Sequence, residues 1–233
     1  MKQEDKAPAF WSLKGFDDRF FFWTILLVAG YAYVQTALCH RPNPFASRGG
    51  GYSDIIKMLL AAPLLYFVGP RANLKSFLSD DRRSAFVWNG LGYVLPYFIG
   101  LHWLYLQTIP QINYSLTWHD LTRMHPVGKM VFLAGGVLIL GLVVYHLLLA
   151  YREGILVPYI STFLAGILVV AGISWMLRGH YTPHIHHYFF FGYFIAWARF
   201  RNPVSLVCQG LCAGVYVEGI SEWGMSSLWD QIH

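Results

Sequence analysis

The sequence predicts an all-α fold, a polytopic transmembrane helical bundle of about seven spans in a single integral membrane domain over residues 1–233. Three observations carry that prediction. Charged residues make up 12% of the chain and apolar residues 56%, whereas roughly 25% of a typical soluble domain is charged. Apolar segments recur at the roughly 20-residue length that a helix needs to cross ~30 Å of hydrocarbon. Lys and Arg gather in alternate loops, the bias that sets membrane topology.

The elements follow in order along the chain. Residues 1–18 form a polar tail; its MKQEDKAPAF is mixed in charge, unlike a secretory signal or an Arg-rich, acid-poor transit peptide, so no cleavage is expected. Spans are expected near 20–39, 55–68, 85–106, 130–150, 155–177, 184–198 and 204–223. Two of these are short. The segment 55–68 contains Lys57 and Pro63 and 184–198 carries histidines, so either could be interfacial or re-entrant, with six spans as the fallback. The loop RPNPFASRGGGYSD between the first two spans is turn-rich.

With seven spans, one membrane side holds Lys2, Lys6, Lys14, Arg19, Arg71, Lys75, Arg82, Arg83, Arg152, Arg199 and Arg201. The other holds Arg41, Arg48, Arg123, Lys129 and Arg178, and Lys57 falls within a span. The N-terminus is therefore expected on the cytoplasmic or equivalent side. These basic residues flank spans and make no contiguous patch, so the net charge of +5 implies lipid contact and no nucleic-acid partner.

Histidines have the opposite distribution. His40, His119, His125, His180, His184, His186, His187 and His233 all fall on the poorly basic side, and only His102 and His146 lie within spans. The latter two differ in depth, which argues against a shared haem; each is expected to bond to a backbone carbonyl in the core. The densest group is in GHYTPHIHHYFFFG, residues 179–192. Thr182 and Pro183 read as an N-cap and first-turn pair, which predicts a helix starting there with His184 and His187 on one face. A helix N-terminus disfavours imidazolium, and neutral imidazole is the form that binds metal.

The last span supplies partners for these imidazoles. In QGLCAGVYVEGISEWG, Gly210, Gly214, Glu218 and Glu222 recur every four residues. The glycines allow close approach of a neighbouring helix, and the carboxylates are expected to face that neighbour. At ~1.5 Å rise per residue, Glu218 lies roughly 8 Å inside one boundary and His187 roughly 6 Å, so antiparallel sixth and seventh spans would match Glu218 to His187 and Glu222 to His184. An acidic group within a span is usually paired or functional.

Three function classes follow. In the first, the chain is a non-catalytic accessory subunit of a larger membrane complex, a respiratory or ATP synthase assembly of the mitochondrial inner membrane being one such setting, with the His and Glu cluster as interhelical hydrogen bonds or lipid contacts. In the second, His180, His184, His187, Glu218 and Glu222, supported by His119, Asp120 or His125, bind zinc or iron in a membrane enzyme. Such a site would hydrolyse or oxidise lipid, with Glu218 or Glu222 as the candidate catalytic base. In the third, the cluster belongs to a proton or ion path.

Two resemblances bear on these classes. The motifs GH-x3-HxHHY, R-x3-PxS, QG-x3-G and EG-x3-WG, over Gly179 to Gly224, resemble the C-terminal multispan membrane region of uncharacterised fungal and protist polytopic proteins, some of which carry an LCCL module. That likeness implies a multispan fold and a histidine region but no activity. The three cysteines, Cys39, Cys208 and Cys212, cannot build the disulfide-bearing module itself. His180 and His184, spaced HxxxH, look like part of the zinc set of seven-span membrane hydrolases such as alkaline ceramidases, where the pair belongs to the last span.

Overall fold

The computed structural model describes residues 17–38, 52–110, 122–183, 186–225 and 227–231, with the side chains of residues 107, 230 and 231 left aside. Helix dominates. In chain order the elements are α1 (Asp18–Tyr33), α2 (Tyr52–Val68), α3 (Pro70–Asn73), α4 (Arg82–Asn89), α5 (Leu95–Gly100), α6 (Pro126–Arg152), α7 (Leu156–Leu177), β1 (Tyr181–Pro183), α8 (His187–Trp197), α9 (Pro203–Trp223) and β2 (Trp229–Gln231).

Local sequence explains most of these boundaries. Asp17 caps α1 by accepting from the Phe20 amide, and Asn202 caps α9 by accepting from Ser205 N–H. Pro126 and Pro203 open α6 and α9, where a missing N–H costs nothing. Between α6 and α7, Gly154 sits at φ 70° and passes Ile155 N–H to the Ala150 carbonyl and its own N–H to Tyr151, closing a Schellman turn.

Among the described residues, four helical segments are long and apolar enough to cross a membrane: Asp18–Leu38, Pro126–Arg152, Leu156–Leu177 and Pro203–Trp223. The remaining expected spans are helical but short or interrupted. Pro63 lies inside α2, removing one ladder hydrogen bond. The segment expected at 85–106 divides into α4, a wide π turn at Gly90–Val94, α5, and a 3-10 turn at Trp103–Thr108. Pro96 has no N–H for the carbonyl four residues back, and Leu95 N–H instead reaches Gly90, five back. Helix α8 has 11 residues, about 16 Å of rise.

Two corrections concern the histidine region. Thr182 and Pro183 do not open a helix: Tyr181–Pro183 is a strand, antiparallel to Trp229–Gln231, with Thr182 opposite Asp230. The segment after α9 offers that strand a backbone partner, which no helical reading of 179–187 takes into account. The helix begins at His187, with His186 at the cap position and making no side-chain cap bond. The fold is thus a helical bundle with one small β-ribbon, not purely α.

Helix α9 is the axis of the bundle. It is buried along nearly its whole length from Ser205 to Glu222 and packs on α1, α2, α5 and α8. The aromatic core gathers Trp23, Tyr66, Tyr93 and Tyr97 around it; Trp23 Nε1 donates to Tyr93 Oη at 2.7 Å, and Tyr97 Oη to the Leu26 carbonyl at 2.8 Å. The pair α6 and α7 stands apart. Residues of α7 are nowhere buried, and α6 buries only Gly128, His146 and Ala150.

Candidate functional site

The glycine stripe of α9 does bring a neighbour close, but the neighbour is α5 and its preceding π turn. A Cβ at Gly210 would collide with the Tyr93 carbonyl, and one at Gly214 with the Tyr97 carbonyl and the Gly100 backbone. Glycine on both sides of the crossing, Gly100 and Gly214, lets the two backbones touch. Glu218 does not share the glycines' neighbour, although the four-residue spacing predicts that it should.

Glu218 faces α8. Its side chain is fully buried, and His187 Nε2 lies 3.2 Å from Glu218 Oε2, within hydrogen-bond distance. Gly219 makes that contact feasible, since a Cβ there would stand 2.6 Å from His187 Nε2 and 2.9 Å from Tyr188 Cβ. The pairing expected from matched depths is thus present, although His187 is the first residue of its helix and not part of a longer histidine face. Glu218 Oε1 is buried with no hydrogen-bond partner among the described residues. Glu222 is buried one turn further on.

The other sequence candidates separate. His125 caps α6, its Nδ1 accepting from Val127 N–H at 3.3 Å. His180 is exposed in the turn after α7. His119, Asp120 and His184 lie outside the described residues, and with them the Glu222 to His184 pairing. Among the described residues, no three His, Cys, Asp or Glu side chains come together as a metal-binding group. The two histidines expected within spans each bond to the carbonyl four residues back: His102 Nδ1 to Phe98 and His146 Nδ1 to Leu142, both at 2.8 Å. Their second nitrogens meet Tyr33 Oη at 3.1 Å and Ser205 Oγ at 2.9 Å, so they sit at different helix contacts and share no ligand.

Around the Glu218 end of α9 the structure adds groups that sequence reasoning missed. Gln35 donates to the Ser221 carbonyl, and Ser221 Oγ to the Tyr31 carbonyl at 3.2 Å. Asp54 accepts from the Met225 amide at 3.0 Å and from Lys57 at 3.1 Å, and Lys57 also donates to the Met225 carbonyl. Thus Lys57, read as an anomaly within a span, ties α2 to the exit of α9. The Asp54 to Lys57 spacing of three residues was the available signal; its target at Met225 was not readable.

At the opposite end of α9 a second polar knot is buried. Asn73 Nδ2 donates to the Ala198 carbonyl at 2.5 Å and to Gln209 Oε1 at 3.2 Å, while Gln209 Nε2 donates to the Ile195 carbonyl at 2.8 Å. The motif residues therefore have identifiable work: Gln209 holds the end of α8, Gly210 and Gly214 admit α5, and Glu218 with Gly219 receives His187. No family model, curated protein or solved structure matches the chain.

Proposed function

We propose that this chain is a non-catalytic subunit of a larger membrane assembly, crossing the bilayer seven times with its basic loops on the cytoplasmic-equivalent side. The observation that carries the reading is the condition of α6 and α7. These two apolar helices meet the rest of the bundle along one side each: Tyr145 to Asn202 and His146 to Ser205 from α6, and for α7 Tyr159 to the Trp197 carbonyl, Tyr193 to the Phe163 carbonyl, Trp229 to Ser174, and Phe163 against the Tyr193 and Trp197 rings. Over most of their length they leave apolar faces open, from Met130 through Leu140 and from Val157 through Met176.

Glycines sharpen the point. A Cβ at Gly135, Gly136, Gly141 or Gly172 would meet nothing within 4 Å among the described residues. A helix-interior glycine costs about 1 kcal/mol relative to alanine, and the packed glycines of α9 offset that cost by close helix contact. A helix from another subunit lying on α6 would give its glycines the same compensation. On this reading His187 and Glu218 form an interhelical hydrogen bond that fixes α8 on α9.

The test is native mass measurement of the complex extracted in mild detergent, for wild type and Gly136→Leu. The expected result is a wild-type particle heavier than the chain's oligomer-free mass, with a co-purifying membrane protein that the variant loses while keeping its own thermal unfolding transition. A wild type that runs as a single chain, with a stoichiometric zinc or iron, would overturn the subunit reading in favour of a metal enzyme.

A further inference from the structure

A cavity of about 400 Å³ opens at the basic end of the bundle, where the start of α1, the segment 74–81 and the start of α4 meet Arg201. Its polar wall includes Arg19, Lys75, Ser76, Asp81, Ser84 and Arg201, with Ser79 held on the Ser76 carbonyl. Several of these groups are already committed. Arg19 is held by Asp17 and donates to the Arg71 and Leu74 carbonyls, and Ser76 Oγ donates to Asp18. Asp81 caps α4 by accepting from Ser84 N–H at 3.1 Å.

The remaining groups are set for an anion. Lys75 Nζ is placed 2.8 Å from Ser84 Oγ and 4.9 Å from the centre of the Trp88 ring, so its ammonium is fixed in position. Because Ser84 Oγ accepts from Lys75, its own hydroxyl hydrogen is available to donate. Arg201 is exposed at the cavity and makes no hydrogen bond or ion pair among the described residues. A planar guanidinium, an ammonium and a hydroxyl donor around one cavity form the donor set that a phosphoryl group takes.

The surface below the cavity decides what else the ligand carries. Ser84 stands at the head of a stripe of exposed apolar side chains, Val87, Leu91, Leu95 and Phe98, running down α4 and α5 away from the cavity. They are exposed along residues 87–98, where the π turn at Gly90–Val94 joins α4 to α5. Beside the rim, Leu78 is 76% exposed at the tip of the segment 74–81. A charged head site joined to an apolar track matches an amphiphile.

We propose that this cavity binds a phosphoryl group, supplied by the headgroup of an anionic lipid whose chains lie along the Val87 to Phe98 stripe. Arg201 and Lys75 supply the charge, and Ser84 donates a hydrogen bond. The proposal is independent of the subunit reading, because it uses neither α6 and α7 nor the His187 end of the bundle.

The experiment follows the thermal unfolding of the full chain in neutral detergent, titrated with dihexanoylphosphatidic acid in one arm and inorganic phosphate in the other. Arg201→Gln is the principal variant, since that side chain is exposed and unengaged among the described residues. Arg152→Gln, at the C-terminal end of α6, makes the same charge change at a residue that does not line the cavity. Stabilisation of wild type by the lipid, with apparent affinity lowered about fivefold in Arg201→Gln and unchanged in Arg152→Gln, is expected from about 1 kcal/mol per basic residue at a membrane surface. Inorganic phosphate acting alone with the same variant dependence would keep the anion site and replace lipid by free phosphate as its source. Absence of stabilisation by either probe, or equal weakening in both variants, would overturn the proposal.

Discussion

Alanine at two glycines of this chain should act with opposite signs. At Gly214 the new Cβ would fall 2.8 Å from the Gly100 Cα and 3.0 Å from its carbonyl carbon, besides striking the Tyr97 carbonyl. Carbon atoms rest at about 3.5–4.0 Å, so α5 and α9 must separate by roughly 0.5–1 Å, a gap that forfeits a quarter to a half of each affected contact. Every opposing atom is backbone, with no rotamer that relieves the overlap. Overpacking of this kind costs about 1–3 kcal/mol, against which alanine returns at most about 1 kcal/mol of helix propensity. With that return subtracted, the net expectation for Gly214→Ala is destabilisation of about 1 kcal/mol, the middle of a range of about 0–2 kcal/mol. A Cβ at Gly141 would meet nothing within 4 Å among the described residues, so Gly141→Ala should stabilise the isolated chain by up to about 1 kcal/mol. Thermal unfolding of both variants in the same detergent measures the two signs. If Gly214→Ala proves as stable as wild type, the close crossing of α5 and α9 is not the organising contact of this bundle.

Further expectations concern the polar groups. A double-mutant cycle on His187→Ala and Glu218→Gln should return a coupling energy of about 0.6–2 kcal/mol in reversible unfolding, the range for hydrogen bonds between membrane helices; additivity would mean the contact does not form. Metal analysis of purified protein should give zinc and iron well below one per chain, unchanged in those variants; a stoichiometric ion lost with Glu218→Gln would restore the metal-enzyme reading. Burial raises the Asp17 carboxyl, but hydrogen bonds from Arg19 and Tyr66, with the Arg19 charge, outweigh it and leave its pKa below the ordinary 3.8. Its contribution to stability is therefore complete above that ordinary value and is lost as pH falls through the lower folded value. Asp17→Asn should accordingly narrow the stability difference from wild type in acid and show it in full at neutral pH; a difference that grows on acidification would contradict the assignment.

The sequence by itself determined the solvent, the positions of the helical segments and one contact. Composition and span length suffice for the first two, because a backbone in hydrocarbon must satisfy its own hydrogen bonds and an apolar run of that length has little alternative to helix. Matched depth in antiparallel neighbours was enough for His187 and Glu218, since rise per residue is fixed. Tertiary structure decided what depends on which helices are adjacent and how they are rotated. That Gly210 and Gly214 serve α5 while Glu218 serves α8 follows from the central position of α9, which has neighbours on every side and so gives one stripe two partners. That Tyr181–Pro183 is strand depends on Trp229–Gln231, a pairing about 50 residues distant with no local signature. Likewise the cavity at Lys75, Ser84 and Arg201 joins three segments whose polar residues read, one at a time, as ordinary loop positions. Local pattern fixes an element when the element satisfies its own backbone; a site made of side chains from several elements exists only once packing has chosen the neighbours.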